Sequence, residues 1–283
     1  MSQDTTVRAM TDDGAFRVMV VRSTDTVRGI CQAQGVRGST ASAFADLITA
    51  TVLFRETMSP GLRVQGILQA ADKKMTLVAD SAAQGHTRGL MQKKVAEAPL
   101  KWGQGALLQM MRTLHNGSIN QGIVAVPEGG GVTQAMMAYM KTSEQVDTML
   151  AVGTVLDPAG DVRVAGGYMV QLLPEVGRGP LAIMAQRLED FRSMDQYLTD
   201  DFCPEKFRDE LLYRMPFTVL DQSSLSFSCW CSEDRLLGAL STLNRSEIVQ
   251  MVEQGNPLEI TCDYCHRDYA IRPAKLQGLI DTN

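Results

Sequence analysis

Three features that this sequence lacks narrow its class. No run of about 18 apolar residues is present, so the sequence predicts no membrane-spanning helix. The first residues lack the basic and apolar regions of an export signal, which predicts a reducing, cytoplasmic compartment. The chain also lacks an excess of basic residues, with 27 Lys and Arg against 32 Asp and Glu. The net charge is −5 and the isoelectric point is near 5.3, which argues against a general nucleic-acid surface.

Four of the six cysteines lie near the C-terminal end in two close pairs. Cys229 and Cys231 form a C-x-C pair, and Cys262 and Cys265 form a C-x-x-C pair. A C-x-x-C sequence places two sulfurs on one tight turn, and a second close pair can complete a tetrahedron of thiolates around a metal. Because residues two apart on an extended strand lie about 7 Å apart, the chain must bend at the C-x-C pair. The sequence therefore predicts one zinc ion held by these four cysteines.

A helix is predicted directly after the first pair. Ser232 has the side chain of an N-cap, two acidic residues follow it, and Leu236 and Leu240 recur at helical spacing. Cys231 therefore lies beside a helix N-terminus. That partial positive charge and a bound zinc ion both lower the pKa of a thiol, so we expect thiolates at neutral pH. Thiolates bind metal, and they also react with oxidants.

The C-terminal segment is too small to depend on its hydrophobic core alone. Residues 225–283 carry few large apolar side chains, and a core of this size contributes only ~3–5 kcal/mol. A structural zinc site contributes roughly 10–16 kcal/mol in small peptides. We therefore expect loss of the metal to unfold this segment.

Other interpretations of the cysteines compete with a redox-active zinc centre. The sequence C-x-x-C-H at residues 262–266 also matches a c-type haem attachment site, but haem would leave the C-x-C pair unexplained. A purely structural zinc ribbon that binds nucleic acid or a protein partner stays open, although no Lys/Arg stripe lies beside the cysteines. A thiol oxidoreductase comes third, because it normally uses one reactive C-x-x-C on a thioredoxin-like pattern.

The rest of the chain predicts an α+β core. Alternating apolar residues around an Asp-Asp-Gly turn predict a hairpin over residues 6–22, and helical spacing predicts a helix over residues 41–58 capped by Ser39 or Thr40. Further strands are predicted at residues 62–69, 74–80, 89–92, 118–126, 146–156 and 162–173. Residues 103–112 fit either a helix or a strand, and a helix is predicted from residue 132 or 134 to 141. The triple glycine at residues 129–131 is interpreted as a loop, since no phosphate-binding sequence surrounds it.

Three parts of the chain are predicted from these patterns. Residues 1–178 form the α+β core domain, which Pro174 closes, and residues 227–283 form a zinc-binding redox-switch domain. Residues 179–226 are acidic and carry apolar stripes at helical spacing, which predicts a helical linker. Short helices depend on tertiary packing for stability, so the linker is a candidate conditional element.

With these segments in view, the chain resembles the 33 kDa heat-shock chaperone family of redox-regulated holdases. The resemblance covers nearly the whole length. Its most specific parts are the two cysteine pairs and the sequence Ala-Gly-Gly-Tyr-Met-Val-Gln-Leu-Leu-Pro at residues 165–174. Supporting matches are Arg8-Ala9, the Ala-rich helix through Ala50, Arg88-Gly89 and Ser143-Glu144-Gln145. The sequence departs from the family at residues 91–94 and at His266, neither of which touches the predicted ligands.

The resemblance implies an ATP-independent chaperone rather than an enzyme. The reduced form would hold zinc and be a poor chaperone. Oxidation would form disulfides Cys229–Cys231 and Cys262–Cys265, unfold the zinc domain and linker, and expose apolar surface to unfolding client proteins. The family also implies a homodimer when oxidised, with no nucleic-acid or membrane partner. Cys31 and Cys203 lie outside the motif and are interpreted as ordinary small side chains.

Overall fold

The computed structural model describes residues 3–93, 105–173 and 179–282, and the chain divides into two units between Ser228 and Cys229. The predicted α+β class is confirmed. The first unit contains β1 (Thr5–Thr11), β2 (Phe16–Arg22), α1 (Thr24–Ala33), α2 (Gly38–Glu56), β3 (Arg63–Gln69), β4 (Met75–Ser81), β5 (His86–Lys93), β6 (Leu107–Thr113), β7 (Ile119–Ala125), α3 (Val132–Tyr139), β8 (Thr148–Leu156), β9 (Val162–Leu172), α4 (Gly179–Leu188), α5 (Pro204–Leu211), β10 (Phe217–Ser224) and β11 (Ser226–Phe227). The second contains α6 (Glu233–Leu240), α7 (Arg245–Glu253), β12 (Leu258–Thr261), β13 (Asp268–Ile271) and α8 (Pro273–Thr282).

Two sheets form the framework of the first unit. One has the strand order β10-β1-β2-β9-β8, and the other has the order β11-β5-β4-β3-β6-β7. All neighbours are antiparallel except the short β11, which runs parallel to β5. Helix α2 packs against strands of both sheets. A helix that packs against two sheets needs apolar residues on more than one side, and α2 has them in Phe44, Leu47, Ile48 and Phe54, with the buried hydroxyls of Thr49 and Thr51 among them.

The ends of α2 differ from the prediction. The helix begins at Gly38 without a side-chain cap, whereas Ser39 or Thr40 was the predicted cap. A tertiary contact sets this start, because the backbone N–H of Gly38, at φ +63°, donates a 2.8 Å hydrogen bond to the carbonyl of Gly160. At the other end the N–H of Met58 bonds to the carbonyl of Arg55, three residues back, so regular helix stops at Glu56.

The structure resolves the ambiguous segments. Residues 107–113 form strand β6, and Val132–Tyr139 forms helix α3, so the triple glycine lies in a strand-to-helix connection. The N-terminal hairpin and the other predicted strands of the core are confirmed, with ends shifted by a few residues. Residues 103–104, Lys94 and Pro174 of the sequence predictions lie outside the described residues.

The predicted linker contains a strand as well as helices. Helices α4 and α5 are present, but Phe217–Ser224 forms β10, which pairs with the edge of β1, so the helical prediction is wrong there. An ion pair helps hold this strand in place, because Arg8 of β1 contacts Asp221 of β10. Arg8 also contacts the buried Glu56 at the end of α2. Buried apolar residues of this region, including Phe191, Phe207 and Leu211, form part of a second core on the five-stranded sheet. The three-part division at residues 178 and 226 stays a prediction.

No helix among the described residues has the length and apolar character needed to cross a membrane.

Close packing of helices on the six-stranded sheet requires glycine at residue 89. A Cβ added there would lie 2.5 Å from Cζ of Phe44 and 2.8 Å from Cγ2 of Ile30. We expect Gly89→Ala to lower the free energy of unfolding by ~1–3 kcal/mol, because these two fully buried side chains would have to move. Chemical denaturation monitored by circular dichroism measures the change. The control is Gln92→Ala, an exposed position on the same strand that should change it by less than about 0.5 kcal/mol; equal effects would contradict the packing argument.

Candidate metal centre

Two short segments of the second unit carry the four cysteines. Cys229 and Cys231 lie in the irregular segment directly before α6, and Cys262 and Cys265 lie in the turn that joins β12 to β13. The predicted cap is confirmed, since Ser232 Oγ accepts a 3.3 Å hydrogen bond from the backbone N–H of Arg235. Irregular backbone before α6 provides the bend that the C-x-C pair requires.

Backbone hydrogen bonds close the second turn around its two sulfurs. The N–H of His266 donates to the carbonyl of Cys262 at 2.8 Å, and the N–H of Cys262 donates to the carbonyl of Arg267 at 2.9 Å. His266 has a positive φ of 55°, a left-handed conformation in which histidine is among the enriched non-glycine residues. His266 therefore serves the turn, and it does not belong to the cluster of sulfurs.

The structure brings together all four predicted ligands. Their Sγ atoms lie within 4.8 Å of one another. The distance from Cys229 to Cys262 is 3.8 Å, and that from Cys231 to Cys265 is 3.5 Å. A tetrahedron of sulfurs with zinc–sulfur bonds of about 2.3 Å has edges of about 3.8 Å. The spacing fits one zinc ion, and four thiolates are the donor set of structural zinc sites. None of the six cysteines forms a disulfide in this structure.

Cys231, Cys262 and Cys265 do not ionise equally. Burial opposes ionisation of Cys231, but hydrogen bonds from the Tyr269 hydroxyl and from neighbouring thiols outweigh it and lower its pKa to about 7. The Tyr269 hydroxyl lies 3.1 Å from this sulfur. Burial raises the pKa of Cys262, and it raises that of Cys265 to about 12. Among these three cysteines, Cys231 is therefore the thiolate that the protein stabilises most by itself, and a bound cation would favour ionisation of Cys262 and Cys265.

Tyr269 and Arg267 complete the surroundings of the cluster, and the sequence did not indicate either. Tyr269 donates to Cys231 from strand β13, and the pKa of the exposed Arg267 is raised by its hydrogen bond to Tyr269 and by the charge of Cys231 and Cys265. No motif relates these residues to the cysteines. The folded β12–β13 hairpin brings Tyr269 to the sulfur of Cys231, a contact that only the tertiary structure shows.

The hydrophobic core of the second unit is small, as the sequence predicts. Its fully or nearly fully buried apolar residues are Ile248, Ile271, Leu276 and Ile280. Leu236 and Leu240 of α6 are only half-buried and pack against these residues. Four buried side chains give little stabilisation, so a cross-link through the sulfurs would make a large contribution to the stability of this unit.

The two remaining cysteines lie elsewhere in the fold. Cys31 is buried in the main core of the first unit, where burial raises the pKa of its thiol to about 12. Cys203 precedes α5 and donates from Sγ to the Glu205 carboxylate at 3.0 Å. Neither sulfur belongs to the four-cysteine cluster.

Fold and site together define a class: proteins in which an α+β unit is followed by a small unit whose four cysteine thiols converge and could hold a metal ion. Comparisons with known proteins all point to one family. The Hsp33 protein family matches residues 4–272. The 33 kDa chaperonin of Syntrophotalea carbinolica is 26% identical over 98% of this chain and 99% of its own length, and that of Streptococcus thermophilus strain LMD-9 is 26% identical with the same coverage. This chain belongs to the Hsp33 family.

A solved structure supports the fold. The crystal structure of the 33 kDa chaperonin from Thermotoga maritima matches with a TM-score of 0.81 and 18% sequence identity, and the match covers 99% of each chain. The likeness therefore extends to both units.

Metal binding can be tested directly on the reduced protein. We expect one zinc ion per chain, because four sulfurs match one tetrahedral site. Replacement of Cys229, Cys231, Cys262 or Cys265 by serine should weaken zinc binding by at least about tenfold, which competition with a chromophoric chelator measures. His266→Ala is the matched control, since this side chain is outside the cluster and should leave zinc affinity nearly unchanged. Loss of zinc from His266→Ala, with retention in a cysteine variant, would show that the ligand set is wrong.

Proposed function

We propose that the four-cysteine cluster is the redox switch of an ATP-independent holdase. The chain is a redox-regulated chaperone, as its family indicates. The observation that carries the finer proposal is the convergence of four thiols from two segments of a unit with a small core. Such a unit depends on its sulfurs for stability, and sulfurs are the atoms that oxidants attack.

In the reduced state, Cys229, Cys231, Cys262 and Cys265 would hold one zinc ion. Zinc supplies no redox chemistry of its own; bound there, it would cross-link the segment before α6 to the β12–β13 turn. The residues around the site support ligation. Tyr269 orients the sulfur of Cys231, and the backbone hydrogen bonds at Cys262 hold the second pair on one turn.

Oxidation acts on the same four sulfurs. Each pair of thiolates gives two electrons to an external two-electron oxidant, such as a peroxide, and forms one sulfur–sulfur bond. We propose the pairs Cys229–Cys231 and Cys262–Cys265. The sulfur contacts of 3.8 Å and 3.5 Å in the reduced fold run across these pairs, but loop closure favours near neighbours once the unit has unfolded. Disulfide sulfurs no longer act as thiolate ligands, so the unit loses its main cross-link.

The chain before Cys229 offers apolar surface that could be released. It is held by the two-residue pairing of β11 with β5, by the N–H of Ser228 bonded to Thr87, and by β10 on the edge of β1. The apolar residues of α4 and α5 cover the five-stranded sheet. We propose that unfolding of the second unit loosens this segment and exposes apolar residues to unfolding client proteins, without ATP.

The remaining aspects of the proposal extend the family assignment. We propose that the protein acts in the cytoplasm, has no enzymatic activity, binds neither nucleic acid nor membranes, and forms a homodimer when oxidised. The relatives are named chaperonins, which fits a binding protein. The second candidate, a zinc ribbon with purely structural metal, differs in one respect: its binding activity would not change on oxidation.

Aggregation of a denatured test protein, followed by light scattering, measures the proposed activity. We expect the zinc-loaded reduced protein to suppress aggregation weakly and the peroxide-treated protein to suppress it strongly, with zinc released in parallel. The double variant Cys31→Ser/Cys203→Ser is the control and should keep the switch. Equal suppression before and after complete oxidation would favour the structural ribbon. Peptide mass spectrometry reports the pairing, and a Cys229–Cys262 disulfide would refute the proposed pairs alone.

Stability of the second unit, rather than the disulfides themselves, should control activity. Leu276 is fully buried in α8, and truncating such a leucine costs ~2–5 kcal/mol even without an introduced charge. We expect Leu276→Asp to suppress aggregation while still reduced, because it unfolds the unit by another route. Gln250→Asp, at an exposed position of α7, is the control and should stay inactive until oxidised. If Leu276→Asp unfolds the unit yet needs disulfides for activity, the stability-coupled switch is wrong.

A further inference from the structure

The last strand of the six-stranded sheet has an open edge. Strand β7, Ile119–Ala125, pairs with β6 on one side, and no strand in the described part of the chain pairs with its other side. Hydrogen bonds from Leu114 to Ser118 and from Val126 to Ala106 bracket the β6–β7 ladder. Because bonded and non-bonded pairs alternate in an antiparallel ladder, residues 119, 121, 123 and 125 direct their backbone N–H and C=O groups outward.

This edge lacks the features that normally protect a sheet. Strand β7 has the sequence Ile-Asn-Gln-Gly-Ile-Val-Ala, with no charged residue and no proline, and its pairing has no bulge. Its two isoleucines are exposed, Ile119 at 60% and Ile123 at 57%. By contrast, the pairings of both edge strands of the five-stranded sheet contain a bulge. An open, uncharged edge with exposed isoleucines is a template for another extended chain.

We infer that the β7 edge binds an extended, uncharged segment of an unfolding client protein by β-strand addition. The inference rests on the proposed holdase function and names part of its client site. A holdase must accept many sequences, and main-chain hydrogen bonds are common to all of them. The absence of charge along β7 matches segments that become exposed when a protein core unfolds, which are apolar and poor in charge.

A second copy of this chain fits the edge less well. Two seven-residue strands paired edge to edge extend about 24 Å and bury on the order of 300 Å² per partner, whereas a stable dimer buries about 800 Å² per partner.

The weak binding expected of a single strand pair also bears on how oxidation would regulate client binding. Backbone hydrogen bonds add only a small net free energy each, so the edge alone holds a client weakly. Apolar surface exposed by oxidation would act with it as a second contact on the same client chain.

The probe is a labelled ten-residue peptide of alternating valine and threonine with a terminal lysine at each end, bound to the oxidised full-length protein. We expect the backbone amides of residues 119, 121, 123 and 125 to exchange with deuterium more slowly in its presence, as hydrogen-exchange NMR would show. A peptide N-methylated at alternate residues cannot donate on one edge and should bind roughly tenfold more weakly in the matching register. Equal binding of both peptides, or unchanged exchange at β7, would overturn the inference.

Substitutions separate the edge from general apolar surface. Ile123→Lys places a charge on the exposed edge and should weaken peptide binding roughly tenfold, whereas Ile123→Thr keeps an uncharged edge and should bind nearly as well. Ile183→Lys makes the same change on helix α4, at a side chain that is 68% exposed, and should have little effect. Equal losses from both lysine variants would show that apolar surface, not the strand edge, binds the peptide.

Two further outcomes are distinguishable. If Ile123→Lys changes the mass measured by sedimentation without affecting peptide binding, a second copy occupies the edge and the inference is wrong. If the oxidised wild-type protein fails to suppress aggregation at all, the proposed function fails, whereas hydrogen exchange at β7 still reports on the edge.

Discussion

The convergence of four sulfurs is the constraint on which the second unit depends. Two segments about 30 residues apart place all four Sγ atoms within 4.8 Å, in a unit with only four well-buried apolar side chains among the described residues. A cluster of thiols at this spacing is favourable when a cation neutralises it, because burial alone opposes ionisation of several members. Under the proposed function, the stability of the unit depends on the chemical state of its sulfurs.

The first unit is stabilised by its hydrophobic core instead. Helix α2 is buried between two sheets, and its stability comes from apolar contact rather than from a cross-link. Oxidants should react slowly with the unit's buried cysteine, Cys31, because burial also raises the pKa of that thiol. The chain from α4 to β11 is intermediate between the two units in how firmly it is held. Many of its apolar residues, such as Met184, Leu188 and Phe207, are buried on the five-stranded sheet, but β11 pairs over only two residues. A switch that unfolds the second unit would therefore reach this segment before the α2 core.

The two sheets differ in how their edges are covered, and the inferred client site depends on that difference. Strand β10 covers the edge of β1, supported by the ion pairs of Arg8, while β7 leaves the edge of the other sheet open in the described structure. A chaperone needs affinity for extended chains without selectivity for sequence, and exposed main-chain groups provide such affinity. The same feature carries a risk of self-association, which the short length of β7 limits.

The sequence by itself predicted the four cysteines that cluster, the helix after Ser232 and most strands, because cysteine spacing, capping and alternation are patterns of neighbouring residues. Tertiary structure decided the rest. Segment 217–224 is a strand because the edge of β1 lies beside it, and α2 starts at Gly38 because Gly160 accepts its N–H. Tyr269 meets Cys231 only through the fold of the β12–β13 hairpin. These features depend on partners distant in the chain, and no local pattern encodes which distant partner a segment will meet.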